Sequence, residues 1–106
     1  MARLIRANGT EEIVQPANGK GFTIEEIQKL VGGTVQAINI RGEATKPVML
    51  VNEDGYPRGL PVNKVASEVL QGFERRAAKR QDRPMRRTTM IVGDVVLCVI
   101  KGGTWQ

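Results

Sequence analysis

The chain has 106 residues, 41% of them apolar and only 4% aromatic, and carries a formal net charge of +5. That length holds a single domain, residues 1–106, whose core must be built from Val, Ile, Leu, Met and Ala rather than from rings. There is no histidine and only one cysteine, which removes the commonest general base and the ligands of a structural zinc site.

The elements follow in order. Residues 2–7 and 11–15 are short apolar runs around Asn8-Gly9-Thr10, a hairpin signal because Asn and Gly tolerate positive φ. Pro16 ends the second run, and residues 16–21 are loop. Thr23-Ile24-Glu25-Glu26 reads as a capping box, with Phe22 ahead of it placed to pack on Ile27. Ile24, Ile27, Leu30 and Val31 recur at helical spacing, and Gly32-Gly33 supplies the stop. Residues 34–40 (TVQAINI) predict a strand rich in β-branched residues, followed by a polar loop at 41–46. Residues 47–51 (PVMLV) form an unbroken apolar run, which suits a strand covered on both faces.

Residues 52–67 are the most constrained stretch. Asn52-Glu53-Asp54-Gly55 is a turn, Gly59-Leu60-Pro61 bends the chain again, and Asn63 caps a longer helix. Val65, Ala66, Val69, Leu70, Phe73 and Ala77 form its apolar stripe. Gly72 within it costs about 1 kcal/mol against Ala, so it either weakens the helix or permits a close approach. Pro84 sets the latest point at which this helix stops. Residues 88–92 and 95–100 read as two strands joined by a two-residue hairpin turn at Gly93-Asp94. Strands at both ends with helices between them predict an α+β domain. The expected build is one mainly antiparallel sheet of five to six strands with two helices; a half-open barrel is the alternative.

No apolar run approaches the roughly 18 residues of a membrane span, and the first twelve residues turn polar too early for a signal peptide. The expected setting is a reducing cytoplasm with no membrane partner. Cys98 lies inside VVLCVI and reads as a buried, inert thiol. Neither a cofactor nor a metal is expected. Glu53 and Asp54 are ordinary turn chemistry, since Tyr56, Pro57 and Arg58 add none of the oxygen ligands calcium needs.

Charge is concentrated. Between residues 75 and 87 lie seven basic residues against Asp82 alone, which leaves nine basic and ten acidic residues elsewhere. That segment reads either as a solvated loop or as a phosphate-binding surface with salt-dependent affinity. The GLPVN entry to the second helix is the other candidate. A glycine-containing loop that feeds a helix start presents amides, and helix N-termini attract anions; the plain alternative is a well-capped helix. It is not a P-loop, because the Gly spacing and the Lys-Ser/Thr pair are missing. In this reading Gly59 and Pro61 shape the loop, Asn52 and Asn63 read polar edges, and Lys64 neutralises phosphate. Arg75, Arg76, Lys79 and Arg80 then close over the ligand. Trp105 and Tyr56 offer ring faces for a base, against the plainer role of Trp105 as a lid on the core edge.

The succession VGG (31–33), VNEDG (51–55), GLPVN (59–63) and IVGD (91–94) resembles a small domain-of-unknown-function family found in bacteriophages and some large eukaryotic viruses. The resemblance covers about residues 20–100 and leaves the basic segment 75–87 as an insert of this member. It brings no established activity, but it implies a viral protein acting in the host cytoplasm. The expectation is a non-enzymatic binding protein, an oligomeric sponge that sequesters a nucleotide-derived host immune signal of cyclic-nucleotide or ADP-ribose type. That link to sponges rests on size, charge and lack of catalytic groups, an analogy. Two alternatives stand beside it: a nucleic-acid-binding accessory protein using residues 75–87, and a protein that inhibits a host enzyme by contact. A homo-oligomer is expected because a domain this small buries a modest core.

Overall fold

The structure, a computed structural model, describes residues 2–40, 45–80 and 90–106, and of Arg80 the backbone alone. Its elements are β1 (Ala2–Ile5), β2 (Glu11–Val14), α1 (Ile24–Val31), β3 (Val35–Asn39), β4 (Pro47–Asn52), α2 (Lys64–Arg80), β5 (Val95–Lys101) and β6 (Thr104–Trp105). The strands form one antiparallel sheet in the order β2-β1-β5-β4-β3, with β6 paired to the far end of β5. This is the expected α+β architecture as an open sheet, not a barrel. Of the expected loop at 41–46, residues 41–44 lie outside the described part.

Both faces of the sheet are covered, and strand alternation decides which side chain serves which face. Val48 and Leu50 of β4, with Val96 and Cys98 of β5, pack with Phe22, Ile27 and Val31 around α1. Their neighbours Met49, Val51, Val95 and Leu97 pack with Ala66 and Leu70 of α2. This is why PVMLV lacks the polar alternation of a one-sided strand: all of β4 is buried. Each of the fully buried Val48, Met49 and Leu50 contributes about 1.5–3 kcal/mol through lost apolar surface. Burial also pushes the Cys98 thiol up to about 12, so it stays protonated within the core.

The helix α1 is specified locally. Thr23 Oγ1 accepts from the Glu26 amide at 3.2 Å, and Glu26 Oε1 accepts from the Thr23 amide at 2.9 Å. Glu26 Oε2 also accepts from the Ala17 amide at 2.9 Å, tying the preceding loop to the helix start. The amides of Thr23, first, and of Ala17 hold the Glu26 carboxyl below its ordinary pKa. Gly32 ends the helix in the left-handed region at φ 81°.

The hairpin expected at Gly93-Asp94 is not formed. Ile91 O accepts from the Asn63 amide at 2.8 Å, Val92 bridges Val62, and the Gly93 amide donates to Pro61 O at 2.8 Å. The run before Gly93 therefore pairs with the entry to α2. The reason is topological: β5 already has β1 on one side and β4 on the other, leaving no side for a third full-length partner. Residues 88 and 89 of that expected strand lie outside the described residues.

Candidate functional site

β1 and β4 finish, and β5 begins, at the same end of the sheet. Here the C-terminus of α1, the 52–61 loop and the Gly93-Asp94 corner enclose a cleft of about 330 Å³. Its apolar wall comes from Leu30, Val31, Leu60 and Pro61, and its charged groups are Lys29, Arg58 and Asp94. Asn52 lines it, and Ala7 closes the side next to β1.

The loop is held by short-range bonds that the sequence encodes. Asn52 Oδ1 accepts from the Asp54 amide at 2.8 Å, which makes the Asx turn expected of this residue. The amide of Gly55 donates to Asn52 O, and Leu60 in turn donates to Gly55 O. Gly55 is buried so tightly that a Cβ built there would lie 2.7 Å from Val92 Cγ2 and 3.3 Å from Asn52 O. That close approach explains the glycine of NEDG. The loop is then tied to the end of α1: Asn52 Nδ2 donates to Val31 O at 3.2 Å, and Arg58 Nη1 donates to Gly32 O at 2.9 Å. Both donors meet the carbonyl end of the helix, where orphan acceptors and the negative end of the dipole attract them.

Asn63 works differently from what its position in GLPVN suggested. It is fully buried. Its Oδ1 accepts from the Ala66 amide at 3.0 Å and caps α2, while Nδ2 donates to Ile5 O and to Gly93 O, each at 2.8 Å. With both amide hydrogens and its oxygen engaged, Asn63 has no edge to offer a ligand; it is a clamp. Ser67, one turn on, repeats the theme: its hydroxyl donates to Asn63 O at 2.8 Å and accepts from the Ile91 amide at 2.9 Å.

The other expected site residues divide. Asn52 and Pro61 line the cleft, and Gly59, exposed at φ 66°, turns the chain between Arg58 and Leu60. Lys64 is exposed in the first turn of α2. Arg75, Arg76 and Lys79 sit eleven or more residues further along that helix, which at 1.5 Å per residue separates them from Lys64 by about 16 Å or more. None of them lines the cleft. The Arg76 guanidinium lies 4.7 Å above the Phe73 ring. The side chain of Arg80, and the basic residues Arg83, Arg86 and Arg87, lie outside the described part. Trp105 packs against the α1-side core, and its carbonyl accepts from the Phe22 amide at 2.9 Å. It is the core lid, and it does not line the cleft.

Lys29, Leu30, Arg58, Leu60 and Asp94 were not singled out from sequence as site residues. A usable signal existed for Arg58, a cation set between Gly55 and Gly59 in the most constrained loop. Asp94 Oδ1 accepts from the Ala7 amide at 2.9 Å, so this carboxylate braces the side of the cleft next to β1. Among the described residues the ion pairs are Arg3–Glu11 and Arg6–Glu12, neither of which lines the cleft, and Lys29 and Arg58 have no carboxylate partner. No group of three or more His, Cys, Asp or Glu is placed to hold a metal ion among the described residues. No described helix is long and apolar enough to cross a membrane.

The fold and cleft together define a small α+β domain with a concave, cation-bearing end of its sheet. A family model, Domain of unknown function (DUF3846), matches residues 1–105, and the chain belongs to that family. The match starts at the first residue, so the shared domain takes in β1 and β2 as well as the 20–100 region. No curated protein and no solved structure matches the chain.

Proposed function

We propose that this is a non-enzymatic binding protein that sequesters a small phosphate-bearing ligand of nucleotide type. In the viral setting implied by the sequence resemblance, that ligand is a nucleotide-derived signal of host immunity. The observation that carries the reading is the cleft at the end of α1, where Lys29 and Arg58 stand beside an apolar wall of Leu30, Leu60 and Pro61. Cations in the lining suit a phosphate, and apolar side chains beside them suit a base or ribose.

The volume orders the candidates. About 330 Å³ is at the lower end of the roughly 300–1,000 Å³ range of small-molecule sites. Single-base ligands, such as cyclic mononucleotides and cyclised ADP-ribose derivatives, therefore rank ahead of cyclic dinucleotides. Relative to the sequence-based expectation, the phosphate contact moves from Lys64 and Asn63 to Lys29 and Arg58.

Titration calorimetry against that ligand series, with inorganic phosphate as control, tests the proposal. One single-base ligand binds at micromolar or better affinity, and Arg58→Gln and Lys29→Gln each weaken it about tenfold. Heat from none of them overturns the reading. Binding that survives both substitutions places the ligand elsewhere.

A second reading has its own observation. Arg75 and Lys79, four residues apart, are exposed on one side of α2, with Arg76 beside them. Such a row suits a nucleic-acid backbone, and the affinity falls steeply with salt. A gel shift unchanged in an Arg75→Gln, Arg76→Gln, Lys79→Gln variant ends it.

A further inference from the structure

The ends of the sheet are β2 and β3, and they are built in opposite ways. On β2, Glu11 pairs with Arg3 and Glu12 with Arg6, so a row of charges stands along that edge. Charges of this kind block strand addition. The β3 edge, Val-Gln-Ala-Ile-Asn, has no charged residue, no proline and no glycine, and its register against β4 is unbroken over five residues. Within the strand itself there is no charge, proline or bulge to discourage pairing.

The hydrogen-bond parity shows which groups face outward. Thr34 O accepts from the Glu53 amide at 2.8 Å, and the Ile40 amide donates to Pro47 O at 3.1 Å. Both pairs continue the β3–β4 register, so the alternate residues Thr34, Gln36, Ile38 and Ile40 direct their backbone groups to β4. Val35, Ala37 and Asn39 consequently point their amides and carbonyls off the edge of the sheet. Three outward residues centred on Ala37 make a self-complementary row. A two-fold axis through Ala37 sets Val35 opposite Asn39, Ala37 opposite its own copy, and Asn39 opposite Val35. Every outward donor then meets an acceptor.

The side chains agree with this register. Val35, packed on the α1-side core, and Ile38, packed on the α2-side core, are each left half-exposed. A strand added to this edge covers both, one on each face. Ala37, the smallest side chain of the strand, falls on the axis where two identical residues meet, and the register sets no charge against a like charge. Self-complementarity is what a symmetric dimer requires of its interface, and a second copy of β3 supplies a strand of the same length with no charged side chain to set against this edge.

We propose that β3 is the docking strand for a second copy of this chain, paired antiparallel about Ala37 to make one sheet continuous across a dimer. Sedimentation equilibrium from micromolar to millimolar concentration reads a dimer for the wild type. Ala37→Pro removes an outward amide while leaving the ladder to β4 intact, and it raises the dissociation constant roughly 100-fold. Should circular dichroism show Ala37→Pro unfolded, Ala37→Lys, with two like charges on the axis, gives the same readout. Ile13→Lys on the opposite edge leaves the dimer unchanged. Ala37→Cys is joined to its copy by a short bis-maleimide linker, because bonded antiparallel pairs hold their Cα atoms about 5.5 Å apart. A wild type that stays monomeric throughout overturns the proposal. So does a dimer that persists in the folded Ala37 variant, or one that Ala37→Cys fails to cross-link.

Discussion

The two helices begin with the same kind of residue and are held by different physics. At α1 the cap is an exposed Thr23 closed by Glu26 three residues later, and the further tie to Ala17 spans nine residues. At α2 the cap is a fully buried Asn63 whose amide group reaches 58 residues back to Ile5 and 30 forward to Gly93. One is a local device that an isolated peptide already favours. The other joins the N-terminal strand, the helix and the approach to β5 at a single side chain, and exists only in the folded protein. A cap residue in a sequence therefore reports where a helix starts, while burial decides how much depends on it.

Substitutions at the two starts separate these roles. The largest loss belongs to Asn63→Ala, which leaves the Ile5 and Gly93 carbonyls and the Ala66 amide without their partner. Chemical unfolding should show destabilisation of roughly 3–5 kcal/mol, a large part of a small domain's total. Asn63→Asp sharpens the contrast, since it retains the acceptor for Ala66 but turns a carboxylate toward two carbonyls. A near-wild-type Asn63→Asp would reduce the clamp to an ordinary cap. Thr23→Ala comes next, at about 1 kcal/mol, with no effect beyond the start of α1. Gly72→Ala runs the other way. Among the described residues a Cβ there meets only the end of the Arg76 side chain at 3.8 Å, so none of them makes the close approach that would justify glycine. The thermal midpoint rises, by the equivalent of about 0.5–1 kcal/mol. Unchanged stability would mean that α2 is governed by its clamp alone.

The smallest effect depends on pH. Because its folded pKa is lowered, Glu26 contributes stability that is present above the ordinary carboxylate pKa and is lost as pH falls through the folded value. Unfolding curves of wild type and Glu26→Gln should accordingly differ at neutral pH and converge in acid. Parallel curves across that range would remove the charge from the account of α1. The exposed position of Thr23 and its neighbours keeps the difference small.

The same division explains what the sequence disclosed. The Asn8-Gly9-Thr10 hairpin, the capping box, the Gly32 stop and the doubly buried β4 were legible because each is written within about ten residues. The Gly93-Asp94 corner was misread because its chemistry is indeed that of a turn; what differs is the partner, Pro61 and Asn63 instead of β5. Asn63 was recognised as a cap, but its two long-range acceptors have no local signature. The cleft was only partly legible for the same reason. Asn52, Arg58 and Pro61 come from the stretch that looked constrained, whereas Lys29 and Asp94 join them only because the end of α1 and the approach to β5 come to the same end of the sheet. The basic run, the loudest feature of the composition, contributes nothing to the cleft through its described residues.

The placement of β5 has a consequence for how the protein comes into being. It lies between β1 and β4, and among the described residues it is the only strand that joins the β1–β2 pair to the β3–β4 pair. A ribosome that has made everything up to Asp94 has made two separate hairpins and no continuous sheet. Cooperative folding waits for residues 95–101 to emerge, and until then the edges of β1 and β4 that β5 will fill stand open to helper proteins or to another nascent copy.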